Sequence, residues 1–584
     1  MCNLNRIKSV RVKENGIMDE AVNFVLKNQL KDVENWKKTV EVFSTLEDSE
    51  MGRWRGEYFG KQMRGATLVY TYTKDEELYE ILTKTVIDLL ARQDNLGRFS
   101  TYKVENEFTG WDTWCRKYVL VGLLYYADIC KDESLKDKVL NACKKHLDYI
   151  LLKIGEGENQ KKITETSWWW GCVNSCTILE PTLELYKRTG ETRYLDFAKY
   201  IISTGGCTDC NLVELPLSSD SYPYEYPVTK AYEMMSFYEG LLAYYEITGE
   251  RKYFDTVCKF IDKVKQSDIT IIGCSGCTHE LFDNSAKVQT EYKENIMQET
   301  CVTVTWMRVN RRLFEITGDK KYIDNFEMSG YNALYGSLNT EMNDQLSMES
   351  GKWVKGMAFD SYSPLYMNTR GRGIGGYNEF ASGGYNGCCV AIGACAVALM
   401  PLTAVMQRDG EVYVNMLFSG AVTVKDKNGK DVILKIESDY PKNGNARITF
   451  DSDCDLTLKI RRPYWCKSIE EDYIVLDKHF IGGESEEVRF EMTVEKHILN
   501  GKIAFTFGPL TLASDEQKCQ LDLTTPISLD EEIVCERIDA KEGELVRFKI
   551  CNLGDADLIL TDYQSCGKKW LSDKPLMTVW FNGK

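Results

Sequence analysis

Histidine is nearly missing: His146, His279, His479 and His497 are the whole complement of a 584-residue chain. A metal site built on several imidazoles, or a Ser-His-Asp triad, has few ways to assemble from four residues. Positive charge is also short, with 72 Lys and Arg against 88 Asp and Glu and a formal net charge of -16. A surface that acidic argues against nucleic acid or an anionic membrane as partner. No apolar run approaches the ~18 residues that span a bilayer. The start, Met1-Cys2-Asn3-Leu4-Asn5-Arg6, leads into charged sequence without the apolar core of an export signal. The expected compartment is therefore the cytoplasm. There the 21 cysteines read as reduced thiols, mostly buried as small hydrophobes, and not as a disulfide framework. The length implies two or three domains, each large enough to bury a core.

Residues 1–405 read as helix after helix. Tyr186-Lys-Arg-Thr-Gly190-Glu-Thr-Arg-Tyr-Leu-Asp196 recurs as Tyr245-Glu-Ile-Thr-Gly249-Glu-Arg-Lys-Tyr-Phe-Asp255 and as Phe314-Glu-Ile-Thr-Gly318-Asp-Lys-Lys-Tyr-Ile-Asp324. Each copy follows an amphipathic run, such as Val302, Trp306, Val309, Leu313 and Ile316. Each glycine stands where a helix C-terminus favours a left-handed residue. Helical hairpins recurring every 60–70 residues suit a closed toroid of inner and outer helices, an (α/α)6 barrel. Over 406–584 the period becomes two, as in Val432/Leu434/Ile436 and Leu456/Leu458/Ile460, with Gly, Asn and Asp clusters between runs. That is the pattern of an antiparallel β-sandwich region, one full sandwich and a shorter second one. No long linker separates the halves, so they are expected to pack together.

Three clusters carry chemistry. Glu299 and Cys301, in Gln298-Glu299-Thr300-Cys301, project to one side if the chain enters the next helix extended. Cys388 and Cys389 open the last apolar helical run, where the positive end of a helix lowers a thiol pKa. Three thiols and a carboxylate suit tetrahedral Zn²⁺, although spacing alone also fits two buried cysteines and a surface glutamate. The third is Cys277-Thr-His279-Glu280-Leu-Phe282, where a carboxyl among apolar neighbours suits a general acid or an ordinary polar residue.

With these residues in view, the chain resembles glycoside hydrolase family 127, whose typical members are retaining β-L-arabinofuranosidases with a zinc-bound cysteine nucleophile. The resemblance runs through Glu299-Thr-Cys301, Tyr331-Asn-Ala-Leu334, Cys388-Cys389, Leu458-Lys-Ile-Arg-Arg-Pro-Tyr-Trp465 and Gly501 to Leu510. It implies Glu299, Cys301, Cys388 and Cys389 as zinc ligands, Cys388 as nucleophile and Glu280 as acid/base. It also implies a terminal, furanosidic sugar of a plant-type oligosaccharide as substrate. Two histidines of the family are replaced here, by Thr177 and Lys230, so the sugar-contacting shell differs. Where the family often has Cys-Cys-Pro-Pro-Asn, this chain has Cys388-Cys-Val-Ala-Ile392. Glu280 stands three residues further from Glu299 than the family spacing, which implies an insertion in the loop between them.

Other expected sugar contacts are His279, Tyr362 and Trp169, the last with its neighbours Trp168 and Trp170 and with Trp111 and Trp114 reading equally as a stacking platform or as packing between helices. Arg370 and Arg372, on the Gly-rich stretch Thr369-Arg-Gly-Arg-Gly-Ile-Gly375, could grip the carboxylate of an acidic sugar or form a structural loop contact. The pairs Cys207/Cys210 and Cys274/Cys277 read as unliganded thiols, with a shared structural zinc as the alternative. His146 and His479 read as surface residues. Partners are an oligosaccharide and, at most, a second copy of the chain in a homodimer. The rival readings are a sugar epimerase or unsaturated-uronide hydrolase on the same toroid, and a non-catalytic sugar-binding protein.

Overall fold

The computed structural model describes residues 5–584 apart from 50–52, 277, 279, 292–297, 348–349, 374–375, 520, 531, 533, 553–556 and 569–574. Six helices are buried on almost every side: α1 (Glu57–Thr73), α2 (Asp112–Ile129), α3 (Leu179–Thr189), α4 (Ala231–Thr248), α5 (Thr300–Thr317) and α6 (Cys388–Ala404). Each packs on the next, and α6 packs back on α1, which closes the ring. Outer helices Ile17–Val25, Glu76–Leu90, Glu133–Lys153, Thr192–Ser203, Arg251–Ser267 and Lys320–Ser329 each lay one apolar face on an inner partner. The barrel is the (α/α)6 toroid that the repeated turn motif implies. Gly190, Gly249 and Gly318 all close their helices with positive φ. Where α1 crosses α2, Gly60 has no room for a side chain, because a Cβ there would overlap the Tyr118 carbonyl.

The remainder is sheet. Five strands run in the order Lys8–Ser9, Val405–Arg408, Glu411–Val414, Cys454–Arg461, Tyr473–Phe480. A second five-stranded sheet holds Arg11–Glu14 beside Gly420–Lys425, Asp431–Ser438, Asn445–Phe450 and Ser485–Arg489. A larger sheet follows from Val494 onward. Pairing is antiparallel except where Glu411–Val414 runs parallel to Cys454–Arg461 and, in the barrel's loops, Gln345–Ser347 beside Arg372–Gly373. The strands near the start of the chain were not legible in the sequence: Lys8–Ser9 and Arg11–Glu14 add to sheets made otherwise by residues after 404.

Helices and sheets do pack together, through polar anchors. Arg461, fully buried, ion-pairs Asp324 and Glu327 of the barrel, and Tyr440 donates to Glu327 at 2.6 Å. Asn332 Nδ2 donates to the Pro509 carbonyl and its Oδ1 accepts from Thr511 N. The resemblance motifs around Tyr331, Leu458 and Gly501 therefore meet at this seam.

Candidate active site

The first turns of α1, α2, α4, α5 and α6, with loops beside them, surround a cavity of ≈ 200 Å³, lined among others by Trp54, Glu57, Lys61, Lys230, Glu233, Glu280, Glu299 and Cys388. A larger cavity, ≈ 270 Å³, opens toward the helix C-termini, but its Glu180 and Glu239 both ion-pair Arg308, and its Arg312 ion-pairs Glu246 behind the lining. Chemistry, and not size, singles out the first.

Glu299, Cys301, Cys388 and Cys389 present their ligand atoms within 4.8 Å of one another, and no other cluster of this kind occurs among the described residues. Glu299 lies in the two-residue strand Gln298–Glu299, paired with Tyr362–Ser363, so the chain does approach α5 extended. Cys301 is the second residue of α5, and Cys388 and Cys389 are the first two of α6. Cys389 Sγ is 3.5 Å from Cys301 Sγ and 3.9 Å from both Cys388 Sγ and Glu299 Oε1. Tetrahedral ligation with Zn–S bonds of 2.3 Å places sulfurs about 3.8 Å apart. Glu299 Oε2 is buried with no hydrogen-bond partner among the described residues. The donor set thus fits a metal ion: it is buried, spaced for tetrahedral binding and left with an unsatisfied carboxylate oxygen.

The three thiols differ. Only Cys388 lines the cavity. Hydrogen bonds from Cys301 and Cys389, with the Lys61 and Lys230 ammonium charges, hold the Cys388 thiol well below its usual pKa range. Burial instead drives Cys301 and Cys389 well up. Cys388 N–H donates to the Gly376 carbonyl at 2.9 Å, and Gly376, at φ +84°, leaves the space that the Cys388 sulfur fills.

Glu280 faces this thiol from a loop. Its carbonyl accepts from Ala231 N, the first residue of α4, and its own φ is +66°, a left-handed geometry uncommon for a residue with a side chain. Lys230 ion-pairs Glu280 Oε2, and Tyr362 Oη donates to Oε1 at 2.7 Å. Downstream, Asp268 Oδ1 accepts from the backbone N–H groups of Asp283, Asn284 and Ser285, which pins the loop. Burial raises the Asp268 pKa to about 6.

Beneath lies a second paired set. Glu57 accepts from Lys61 Nζ at 2.8 Å and from the Trp114 indole, and burial raises its pKa to about 7. Lys61 Nζ is 3.8 Å from Cys301 Sγ and stands over the Tyr232 ring. Burial opposes its charge, but Cys301 and Glu57 outweigh that and raise its pKa. Trp54, Trp111 and Trp114 form an edge-to-face aromatic wall with centroids 6.0 and 5.7 Å apart.

The structure thus gathers Glu280, Glu299, Cys301, Cys388, Cys389, Lys230 and Tyr362, with Trp111 and Trp114 of the platform. Five expected residues need correction or fall outside it. Arg370 is 2% exposed, and its guanidinium donates to the carbonyls of Gly336, Tyr563 and Cys566, so it ties barrel to sheet and cannot grip a sugar. Thr177 is fully buried, its hydroxyl spent on the Asn174 carbonyl, and is absent from the cavity lining. Trp169 does not line the cavity either, and Trp54 stands in the aromatic wall instead. His279 lies outside the described residues, as does the Arg372 side chain, whose backbone forms the strand Arg372–Gly373.

His146, read as a surface residue, is fully buried with Nδ1 accepting from Phe99 N. Cys207 and Cys210 lie 3.5 Å apart with no metal cluster around them among the described residues, and Cys277 is outside those residues. Residues missed in the sequence are Trp54, Glu57, Lys61, Tyr232, Glu233 and Gly376. The one visible signal was the Glu57/Lys61 spacing of four on a helix.

Among described residues no helix is long and apolar enough to cross a membrane. Residues 5–347, which include Glu280, Glu299 and Cys301, match the GH127 catalytic domain of β-L-arabinofuranosidase, and residues 411–486 match the GH127 middle domain. Cys388 and Cys389 fall between the two. No curated protein sequence matches significantly. Among solved structures, a GH127 β-arabinofuranosidase superposes with a TM-score of 0.77 at 18% identity, over 100% of this chain and 99% of that one. A GH127 β-L-arabinofuranosidase from Geobacillus stearothermophilus T6 gives 0.73 at 17% identity, over 99% and 100%. These likenesses show a shared fold along the whole length. With the catalytic-domain match spanning more than half of its residues, the chain belongs to the GH127 β-L-arabinofuranosidase family of glycoside hydrolases.

Proposed function

We propose that the protein is a retaining exo-glycosidase that releases a terminal furanosidic sugar from plant-type oligosaccharides, with Cys388 as nucleophile and Glu280 as acid/base. The observation that carries this reading is the pairing of one cavity-facing thiol, Cys388, with one loop-borne carboxyl, Glu280, in a single small cavity. Glu299, Cys301, Cys388 and Cys389 would hold Zn²⁺, whose charge keeps thiols ionised at neutral pH. Four anionic ligands exceed the charge of a divalent ion, and the buried Lys61 ammonium, 3.8 Å from Cys301 Sγ, offsets part of the remainder.

Cys388 Sγ attacks the anomeric carbon as the glycosidic C–O bond breaks, and Glu280 gives its proton to the departing oxygen. The glycone is then bonded to sulfur. Glu280, now a carboxylate, takes a proton from water as the water oxygen displaces Cys388. Two inversions leave the configuration retained. Lys230 and Tyr362 orient Glu280 by holding one oxygen each, and the tryptophan wall stacks on the apolar face of the sugar.

The test is a panel of aryl furanosides and pyranosides, neutral and carboxylated, assayed with wild type, Cys388→Ser and Glu280→Gln, beside metal analysis. Hydrolysis of a furanoside, lost in both variants and accompanied by one zinc per chain, is expected. A wild type that releases nothing, or a Cys388→Ser variant that keeps full activity, would reject the reading. The first result favours a binding protein and the second an epimerase-like toroid with structural thiols.

A further inference from the structure

One carboxyl in the cavity remains without a partner. Glu233 lines the same wall as Cys388 and Glu280 and is 3% exposed. Its Oε2 is buried with no hydrogen-bond partner among the described residues, and it forms no ion pair there. The two ammonium groups of the cavity are engaged elsewhere, Lys230 with Glu280 and Lys61 with Glu57. A buried carboxyl left unsatisfied costs several kcal/mol, so native structures supply such groups with a partner, from the protein, water or ligand.

Position along the helix says which part of a ligand would meet it. Lys230 caps α4 at the mouth and Glu233 is its third residue. At 1.5 Å per residue, Glu233 lies about 4.5 Å further down the barrel. Glu280, by contrast, is on a loop above the helix starts, where a leaving group departs. Lys61, Tyr232, Glu57 and Trp114, all borne on inner helices, line the same cavity. What reaches that depth is the glycone, and what a sugar offers there is hydroxyl groups.

Charge selects further. The lining sets four carboxyls, Glu57, Glu233, Glu280 and Glu299, and the Cys388 thiol against two ammonium groups, Lys61 and Lys230, both already ion-paired, and the cavity has no unpaired cation among its described lining residues. Arg370, the expected carboxylate grip, is spent on three backbone carbonyls. A sugar carboxylate would enter against like charge with nothing to pair it.

Resting on the glycosidase reading above, we infer that Glu233 is a specificity residue: its carboxylate accepts hydrogen bonds from glycone hydroxyls and makes the site select an uncharged sugar over a carboxylated one. The experiment compares wild type and Glu233→Gln, both zinc-loaded, on 4-nitrophenyl β-L-arabinofuranoside, its 2-deoxy and 3-deoxy analogues, and its C5-carboxylate counterpart. Zinc content and Tm are measured on the same samples. Wild type is expected to lose about a hundredfold in kcat/KM on at least one deoxy analogue. Glu233→Gln is expected to lose about as much on the parent, little more on that analogue, and to narrow the neutral-to-carboxylate ratio about tenfold.

Equal losses on the parent and both deoxy analogues, or a variant within about threefold of wild type on the parent, overturn the inference. If Glu233→Gln is unstable, wild type alone decides: discrimination below about threefold against both deoxy analogues overturns it. A wild type silent on the whole panel overturns the glycosidase reading and this inference with it. An active wild type with an indifferent Glu233→Gln overturns only the inference.

Discussion

Replacing Gly376 by alanine perturbs the proposed nucleophile without touching a titratable group. Gly376 holds φ +84°, where an L-residue costs about 1–2 kcal/mol. The added Cβ would also fall about 1 Å inside ordinary van der Waals contact with Cys388 Sγ. The backbone has little freedom to yield, because the Gly376 carbonyl accepts from Cys388 N at 2.9 Å and from Tyr58 Oη at 3.2 Å. The sulfur must move instead, and misplacing a reacting atom by about 1 Å costs roughly a hundredfold in rate, close to 3 kcal/mol of barrier. Gly376→Ala is therefore expected to lose about two orders of magnitude in kcat/KM, with reduced zinc content and a lower Tm. Activity within about threefold of wild type, with a full zinc complement, would refute the reasoning.

Asp268 provides a pH test. Burial raises its folded pKa to about 6 from the ordinary 3.8 of an exposed aspartate, so its contribution to stability is complete below pH 3.8 and is lost as pH rises through 6. The loss is on the order of 2–3 kcal/mol. Asp268→Asn, compared with wild type by denaturant unfolding, should gain relative stability between pH 4 and pH 7, and a flat difference would contradict this. Arg461→Met leaves Glu327 without its buried cation and Asp324 with Lys320 alone, and is expected to cost about 3–5 kcal/mol, read as a fall in Tm. Stripping the metal with a strong chelator should lower Tm and expose Cys388, the half-buried thiol of the cluster, to a thiol reagent, with zinc restoring both. Unchanged Tm and reactivity would show that the cluster holds no ion.

What was legible in the sequence was local and periodic. A threonine-glycine turn repeated three times marks helix ends because few residues adopt positive φ, and period-two runs mark strands because burial alternates across a sheet. The metal cluster was legible because cysteine and glutamate two apart, beside adjacent cysteines opening a helix, form an unusual donor set. Residues that owe their role to convergence were not. Glu57, Lys61 and Glu233 look like ordinary helix polars until the first turns of five inner helices are brought to one place. Gly376 is one glycine among many until the Cys388 sulfur is placed beside it. Arg370 was misread for the converse reason: a Gly-rich loop suggests an open site, whereas its partners are carbonyls some 34 and 193–196 residues away in sequence. Lys8–Ser9 is too short to show a period, and its partner strand begins near residue 405.

The central claim is that the glycone is transferred to Cys388 before water releases it. Glu280→Gln slows release more than attack when the leaving group is a good one, so an aryl β-L-arabinofuranoside with an activated leaving group should accumulate the covalent species. The direct measurement is intact mass spectrometry of that quenched reaction, followed by peptide mapping. The account predicts one added anhydro-sugar on the peptide that contains Cys388. No adduct with a productive substrate, or an adduct on any other residue, would contradict it.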